Sequence, residues 1–154
     1  ENSAGGIEMP SNPFKTGYYF RCWRTADDVR FTKDTIVTES ITVTAYWSGK
    51  IEKTLTFVCN NYTIHYIYVF DQSRVIDYAN LDLPSPTKRD LYQFTGWVTE
   101  DGTPFDEYYV VMDHMTIHAK YEALALATVS FVTNRDGFVM NDMTVIKGEA
   151  LGQK

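Results

Sequence analysis

A mainly β chain, built from small tandem units of antiparallel strands with little helix, is what this sequence predicts. Three observations carry that reading. Phe94-Thr95-Gly96-Trp97 repeats an earlier Phe20-Arg21-Cys22-Trp23 at a spacing of 74 residues, and the same offset places Pro10 on Pro84, Tyr18 on Tyr92, Phe31 on Phe105, Val37 on Val111, Ala45 on Ala119 and Trp47 on Tyr121. A period this long indicates small domains in tandem rather than a solenoid. The segments around both copies alternate apolar and polar residues with period two and are rich in aromatic and β-branched residues, the pattern of half-buried strands. Only one stretch, Arg74 to Leu81, reads as helical, and for no more than about two turns.

Residues 1 to 8 are small, polar and aperiodic, which predicts an extended or mobile lead-in. Met9-Pro10-Ser11-Asn12-Pro13 and Leu83-Pro84-Ser85-Pro86 are proline connectors that cannot donate to a ladder. Tyr18 to Thr25 and Tyr92 to Thr99 follow as strands. Phe94 and Trp97 are three apart, so a regular strand would place them on opposite faces; Gly96 marks a bulge that turns both inward. Cys22 stands in that place in the first copy, so the bulge tolerates a side chain.

Thr99-Glu100-Asp101-Gly102 is a hairpin signal, with Thr25-Ala26-Asp27-Asp28 as its weaker counterpart. Each is followed by an aromatic anchor, Phe31 or Phe105, and a closing strand, Ile41 to Trp47 or Met115 to Tyr121, whose alternation directs Ile41, Val43, Ala45 and Trp47, or Met115, Ile117, Ala119 and Tyr121, to a core. New strands open at Thr54 to Val58 and Thr128 to Val132. The return strand, about Ile64 to Phe70, finds its echo at Met143 to Ile146 after a shift of about one residue. The residues expected to build the cores are Phe20, Trp23, Phe31, Trp47, Phe57, Phe94, Trp97, Phe105, Ile117, Tyr121 and Phe131.

Breaks at Ser48-Gly49-Lys50 and Glu122-Ala123 divide the chain into 1–48, the C-terminal part of a first repeat; 49–122, a complete middle repeat; and 123–154, the N-terminal part of a third. A unit beginning at the proline connector would give 9–82 and 83–154 instead, because a periodic array has no intrinsic start. The two partial units raise the expectation that residues 124 to 154 add their hairpin to the sheet of residues 9 to 47. A unit of this size buries only roughly 60% of its unfolded surface, so neighbours matter to its stability.

Hydrophobic residues make up 44% of the 154 and aromatics 15%, enough to build cores. The net charge of −6 disfavours nonspecific binding to nucleic acid or anionic membrane. No apolar run reaches the roughly 18 residues of a membrane-spanning helix, so no membrane insertion is expected. The chain opens without a signal-peptide pattern, so a signal peptide is absent or already removed, and it reads as a piece of a larger protein. Cys22 and Cys59 make neither a disulfide framework nor a zinc site. They read as two free, partly buried thiols that behave as small hydrophobes, with a single disulfide as the alternative.

No constellation for catalysis stands out, and the chain is read as neither an enzyme nor a cofactor-binding protein. His114-x-x-x-His118 has the spacing of paired zinc ligands on a helix. On a strand the two lie roughly 13 Å apart, so they read as a solvated face. The carboxylates Asp27, Asp28, Asp101, Asp106 and Glu107 belong to turns, and no loop brings about six oxygens together for calcium. Tyr62, Ile64, Tyr66, Tyr68 and Phe70 form an even-numbered aromatic series. The plain reading makes it the core face of its strand; the alternative makes Tyr62, Tyr66 and Tyr68 exposed ligand-binding residues.

Phe57, Leu83, Pro84, Pro86, Tyr92, Phe94, Gly96, Trp97, Phe105, Thr116, Ala119 and Tyr121, in that order, resemble the Listeria-Bacteroides repeat, the internalin B-type B-repeat of bacterial surface proteins. Ser73 in place of a turn glycine, Cys22 before Trp23 and Tyr121 in place of the closing Trp depart from its pattern. The resemblance implies an α+β, β-grasp-like unit, no enzyme activity, and a place in a secreted or wall-attached protein outside the cell. The role it implies is a noncatalytic stalk or adhesion segment whose partners are neighbouring repeats. The alternative role is a module that binds a glycan or a host-cell or matrix protein through exposed aromatics.

Overall fold

The computed structural model describes residues 8–152, so most of the lead-in lies outside the described residues. The chain is mainly β, and its described residues form three sheets. The first, in the order β2-β1-β3, comprises β1 (Tyr19–Arg24), β2 (Arg30–Phe31) and β3 (Thr44–Ser48). The second has five strands: β4 (Glu52–Cys59), β5 (Tyr62–Phe70), β6 (Tyr92–Thr99), β7 (Pro104–Phe105) and β8 (Met115–Ala123), in the order β5-β4-β8-β6-β7. A hairpin of β9 (Leu126–Val129) and β10 (Met143–Ile146) forms the third. All pairings are antiparallel except β4 with β8, at the centre of the five-stranded sheet. That order is consistent with a β-grasp-like unit. The expected helical stretch shrinks to one 3-10 turn, Val75–Asp77, after which the chain reaches β6 without regular structure, through turns at Asn80 and Leu91.

The bulge lies where the glycine put it. Phe94 pairs with Tyr121 and Gly96 with Lys120, leaving Thr95 as the extra residue, and Gly96 has φ 146°. Phe94 and Trp97 thereby reach one face, with ring centroids 5.3 Å apart. In the first sheet Phe20 pairs with Trp47 and Cys22 with Tyr46, leaving Arg21 as the extra residue. Cys22 keeps a negative φ, and the Phe20 and Trp23 rings still meet at 5.4 Å.

Leu55, Phe57, Ile67, Val69, Val75, Trp97, Phe105, Val111 and Ile117 form the buried core of the five-stranded unit. Phe57 stands at its centre, 5.0 Å from the Trp97 ring and 6.0 Å from Phe105. Phe94 packs against this cluster, whereas Phe20, Trp23, Phe31, Trp47 and Tyr121 are half-buried. Phe131, expected in a core, is instead 38% exposed. It lies beyond the end of β9, which among the described residues pairs only with β10, so no second sheet neighbour covers it.

Three further expectations are corrected. The aromatic series on β5 is not a single core face: His65 pairs with Phe57 and Thr63 with Val58, so Ile64 is an extra residue that reverses the alternation. Beyond it Ile67 and Val69 turn inward while Tyr66 and Tyr68 face out. The return strand of the last hairpin is shifted by two residues, since Leu55 pairs with Ile67 but Val129 with Met143. Finally, the hairpin of 126–146 and the sheet of 19–48 remain separate within the chain. The closing strand of the first sheet correspondingly begins only at Thr44, because Ile41 to Val43 lack the parallel partner that holds Met115–Ile117.

Trp97→Ala should lower the unfolding free energy by about 3 to 5 kcal/mol in urea denaturation, through the cavity it leaves. Trp23→Ala, at a half-buried site, should cost clearly less.

Candidate functional site

Charge concentrates where the first sheet meets the five-stranded unit. The turn after β1 places Asp28 at φ 59°, a left-handed conformation that asparagine and aspartate tolerate better than most side chains. One period later the same corner holds Gly102, at φ 86°. Arg24, at the end of β1, is 2% exposed and donates through Nε and Nη2 to the Asp28 carboxylate and carbonyl, and through Nη1 to the Ile76 carbonyl at 3.2 Å. Arg30 on β2 donates to the same carbonyl, also at 3.2 Å.

Arg74, just before the 3-10 turn, joins the two sides. Its Nη1 donates to Asp28 Oδ2 at 2.8 Å and its Nη2 to Asp77 Oδ1 at 2.8 Å, while its backbone N–H donates to Asp77 Oδ2 at 3.0 Å. Asp77 is 2% exposed. Arg24 and Arg74 are paired with Asp28 and Asp77 at a largely desolvated junction, where each charge needs its partners, and Arg30 adds a third guanidinium on the Ile76 carbonyl. The Arg74 hydrogen bond holds the Asp28 carboxyl below the usual aspartate range, against a smaller opposing effect of burial. Burial works to lower the Arg74 pKa, but hydrogen bonds to Asp77 and Asp28 outweigh it and raise it.

Aromatic rings complete the contact. Arg74 lies over Tyr46 of β3 at 4.4 Å, and Arg21, the bulge residue of β1, over Tyr78 at 5.0 Å and Phe70 at 5.4 Å. The Tyr19 and Phe70 rings meet edge-on at 5.1 Å. Gly49, in the crossing between β3 and β4, donates its N–H to the Asp71 carbonyl at 2.7 Å, and a Cβ there would overlap the Asp71 carboxylate. A cleft of about 450 Å³ beside this junction is lined in part by Arg24, Asp28, Arg30, Ile76 and Tyr108.

Among the described residues no such junction joins the five-stranded unit to the last hairpin. Arg24, Asp28, Arg21 and Tyr46 have Val98, Gly102, Thr95 and Lys120 as counterparts, and the two-residue shift puts Ala150 in the place of Arg74. Among the described residues no ion pair crosses there. A backbone bond from Leu124 N–H to the Leu91 carbonyl at 2.8 Å does.

The residues singled out in the sequence lie elsewhere. Tyr62, Tyr66 and Tyr68 are 76%, 52% and 55% exposed on the outer edge of β5, with Thr56 and Thr54 as cross-strand partners of the latter two. A groove of about 440 Å³ on the same unit is lined by Thr54, Thr56, Glu100, Asp101, His114 and Thr116, among others. Asp101, in its turn, is drawn down to about 2 by the Thr99 hydroxyl and by Thr103. His114 Nδ1 accepts from the Thr54 N–H at 3.0 Å, and Asp113 pairs with Lys53 at 3.2 Å. Among the described residues no group of three or more metal-ligating side chains could hold an ion. Both cysteines are free and buried, Cys59 Sγ lying 3.1 Å from the Tyr121 hydroxyl. The junction itself was missed in the sequence, although Asp28 opposite Gly102 and Arg24 opposite Val98 were visible signals.

The chain belongs to the Listeria-Bacteroides repeat family, whose model matches residues 2–46 and 54–120. No curated protein and no solved structure matches it. Repeats of this family occur in bacterial surface proteins and are generally noncatalytic structural modules. Among the described residues no helix is long and apolar enough to cross a membrane.

Arg74→Met should destabilise the chain by about 3 kcal/mol or more in chemical denaturation, because it leaves Asp77 buried without its cation. Because the folded pKa of Asp28 lies below its unfolded value of about 3.9, its contribution is complete above that value and is lost as pH falls through the folded one. Thermal unfolding from pH 6 down to pH 2 should show a smaller acid-induced loss in Asp28→Asn than in the wild type.

Proposed function

We propose that this chain is a noncatalytic stalk or adhesion segment of a secreted or wall-attached bacterial surface protein, and that its role is to set the spacing and orientation of what it carries. The charged and aromatic junction between the first sheet and the five-stranded unit carries this reading. Burying Arg24 and Asp77 serves no catalytic geometry, but it favours one mutual orientation of two neighbouring repeats. The membership of a repeat family typical of surface proteins supports the setting. The uncharged second junction makes the segment stiff at one joint and compliant at the next.

Electron–electron resonance distances between spin labels at Lys33 and Glu100, both exposed, should be narrowly distributed, and those between Glu100 and Thr144 broad. Arg74→Met should broaden the first and leave the second unchanged. A first distribution already as broad as the second in the wild type would remove the basis for the spacer reading.

A second reading, a module for a glycan or a host-cell or matrix protein, is favoured by one observation: Tyr62, Tyr66 and Tyr68 stand exposed along one strand edge. Tyrosines give large contact areas at low entropic cost. On this reading a glycan array probed with the wild type gives hits that Tyr66→Ala with Tyr68→Ala loses while the fold is retained. A wild type that binds nothing on glycan and matrix-protein arrays leaves the spacer role alone.

A further inference from the structure

The groove of about 440 Å³ on the five-stranded unit lies where β8 begins between β4 and the turn after β6, and every residue lining it falls between Thr54 and Thr116. Its floor is polar. Thr54, Thr56 and Thr116 alternate with the buried Leu55, Phe57 and Ile117 and so share the outer face of the sheet, with Thr56 directly beside Thr116 in the parallel pairing. No hydrogen bond among the described residues takes up their three hydroxyls. His114 accepts the Thr54 N–H on Nδ1, which leaves Nε2 of the neutral ring as a donor turned to the groove. Glu100 and Asp101 close the far side. Asp101 uses Oδ1 for the Thr99 hydroxyl and the Thr103 N–H and keeps Oδ2 as an acceptor.

Two rings flank this floor. Tyr66 and Tyr68 are the cross-strand partners of Thr56 and Thr54, so they rise from the same face beside the hydroxyls, and both are exposed. Two residues apart on one strand, they are separated by roughly 7 Å. Positions one period away do not keep these features. In the last hairpin Thr144 stands opposite Thr128 where Tyr68 stands opposite Thr54, and in the first sheet's segment Ala26 and Ser40 hold the places of Glu100 and His114. The packing common to the units therefore does not account for them.

We propose that this groove, with Tyr66 and Tyr68, binds a neutral glycan, an uncharged oligosaccharide of pyranose rings. This rests on the second reading above and names its ligand class and its seat. A pyranose presents an apolar C–H face, which stacks on an aromatic ring, and a rim of hydroxyls that each donate and accept. The site offers the complement: tyrosine rings for the faces, threonine hydroxyls that donate or accept, the His114 Nε2 donor and the two carboxylates as acceptors for sugar hydroxyls. Charge narrows the class. No lysine or arginine lines the groove, and the nearby Lys53 is already paired with Asp113, so Glu100 and Asp101 repel sialylated, uronic or sulfated chains. A protein docked along the β5 edge would meet the tyrosines but not the hydroxyls behind them.

Nitrogen–proton correlation NMR of the 154-residue chain tests this, with hexasaccharides of glucose, mannose, galactose and N-acetylglucosamine as neutral probes and a hyaluronan hexasaccharide as the acidic one. At least one neutral chain should saturably shift the amides of Thr54, Thr56, His114 and Thr116 together with those of Tyr66 and Tyr68, and hyaluronan should not. Thr56→Val and Thr116→Val remove a hydroxyl but keep a β-branched residue on its strand, and each should weaken binding about fivefold to tenfold. Unchanged positions of the remaining amides check that the fold is retained. Shifts confined to Tyr66 and Tyr68, with full affinity in Thr56→Val, would overturn the groove and leave the tyrosine edge as a binding surface. Hyaluronan bound as tightly as the neutral chains, or no response to any neutral chain at millimolar concentration, would also overturn the proposal; a matrix protein that then binds through Tyr66 and Tyr68 would leave the second reading standing without it.

Discussion

The parallel pairing of β4 with β8 is the interaction on which the rest of the unit depends. It is the one pairing that brings the opening hairpin and the closing strand together, and it places Phe57 between Trp97 and Phe105. Burying one phenyl ring contributes roughly 1.5 to 3 kcal/mol, a large share of what a small unit has in hand. The first sheet shows the consequence of its absence. It has the same bulge, the same Phe and Trp side by side and the same short second strand, yet Trp23 and Phe31 stay only half-buried and the closing strand starts late. Local sequence is enough to form strand and bulge. Burial requires the partner.

The junction draws on the same local elements for a different end. A corner that glycine occupies at Gly102 is occupied at Asp28 by a residue for which the left-handed backbone is less favourable. The carboxylate placed there gathers both Arg24 and Arg74, and the hydrogen bonds to two guanidinium groups offset the backbone cost. Arg21 is another case. The bulge pushes one residue out of the ladder in each copy: Thr95 turns back to the Lys120 carbonyl, whereas Arg21 reaches across to the rings of Tyr78 and Phe70. A distortion needed to orient Trp23 also supplies a contact between repeats.

Much of this architecture was legible in the sequence because it rests on local patterns repeated twice. Gly96 between Phe94 and Trp97 predicted the bulge, and the alternation from Met115 to Tyr121 predicted a strand with Ile117 inward. The orientation of the β5 tyrosines was not legible. One extra residue at Ile64 reverses every side chain beyond it, and nothing in Tyr-Thr-Ile-His-Tyr marks where that residue falls. The two-residue shift at β10 was underestimated for a related reason, since loop insertions leave the strand pattern intact and only the pairing counts them. The exposure of Phe131 follows from a missing neighbour, which no local pattern reports.

Positions one period apart therefore divide into two kinds. Phe20 and Phe94, Trp23 and Trp97, Phe31 and Phe105 keep their type, and they serve the interior of a unit. Arg24 and Val98, Asp28 and Gly102, Tyr46 and Lys120 do not, and the first of each pair serves the boundary between units. Agreement between copies encodes the fold, because every unit solves the same packing problem. Disagreement encodes the array, because joints need not be alike. In a chain of this kind the residues that set function are to be sought where the repeat departs from itself, which is where the buried charges lie.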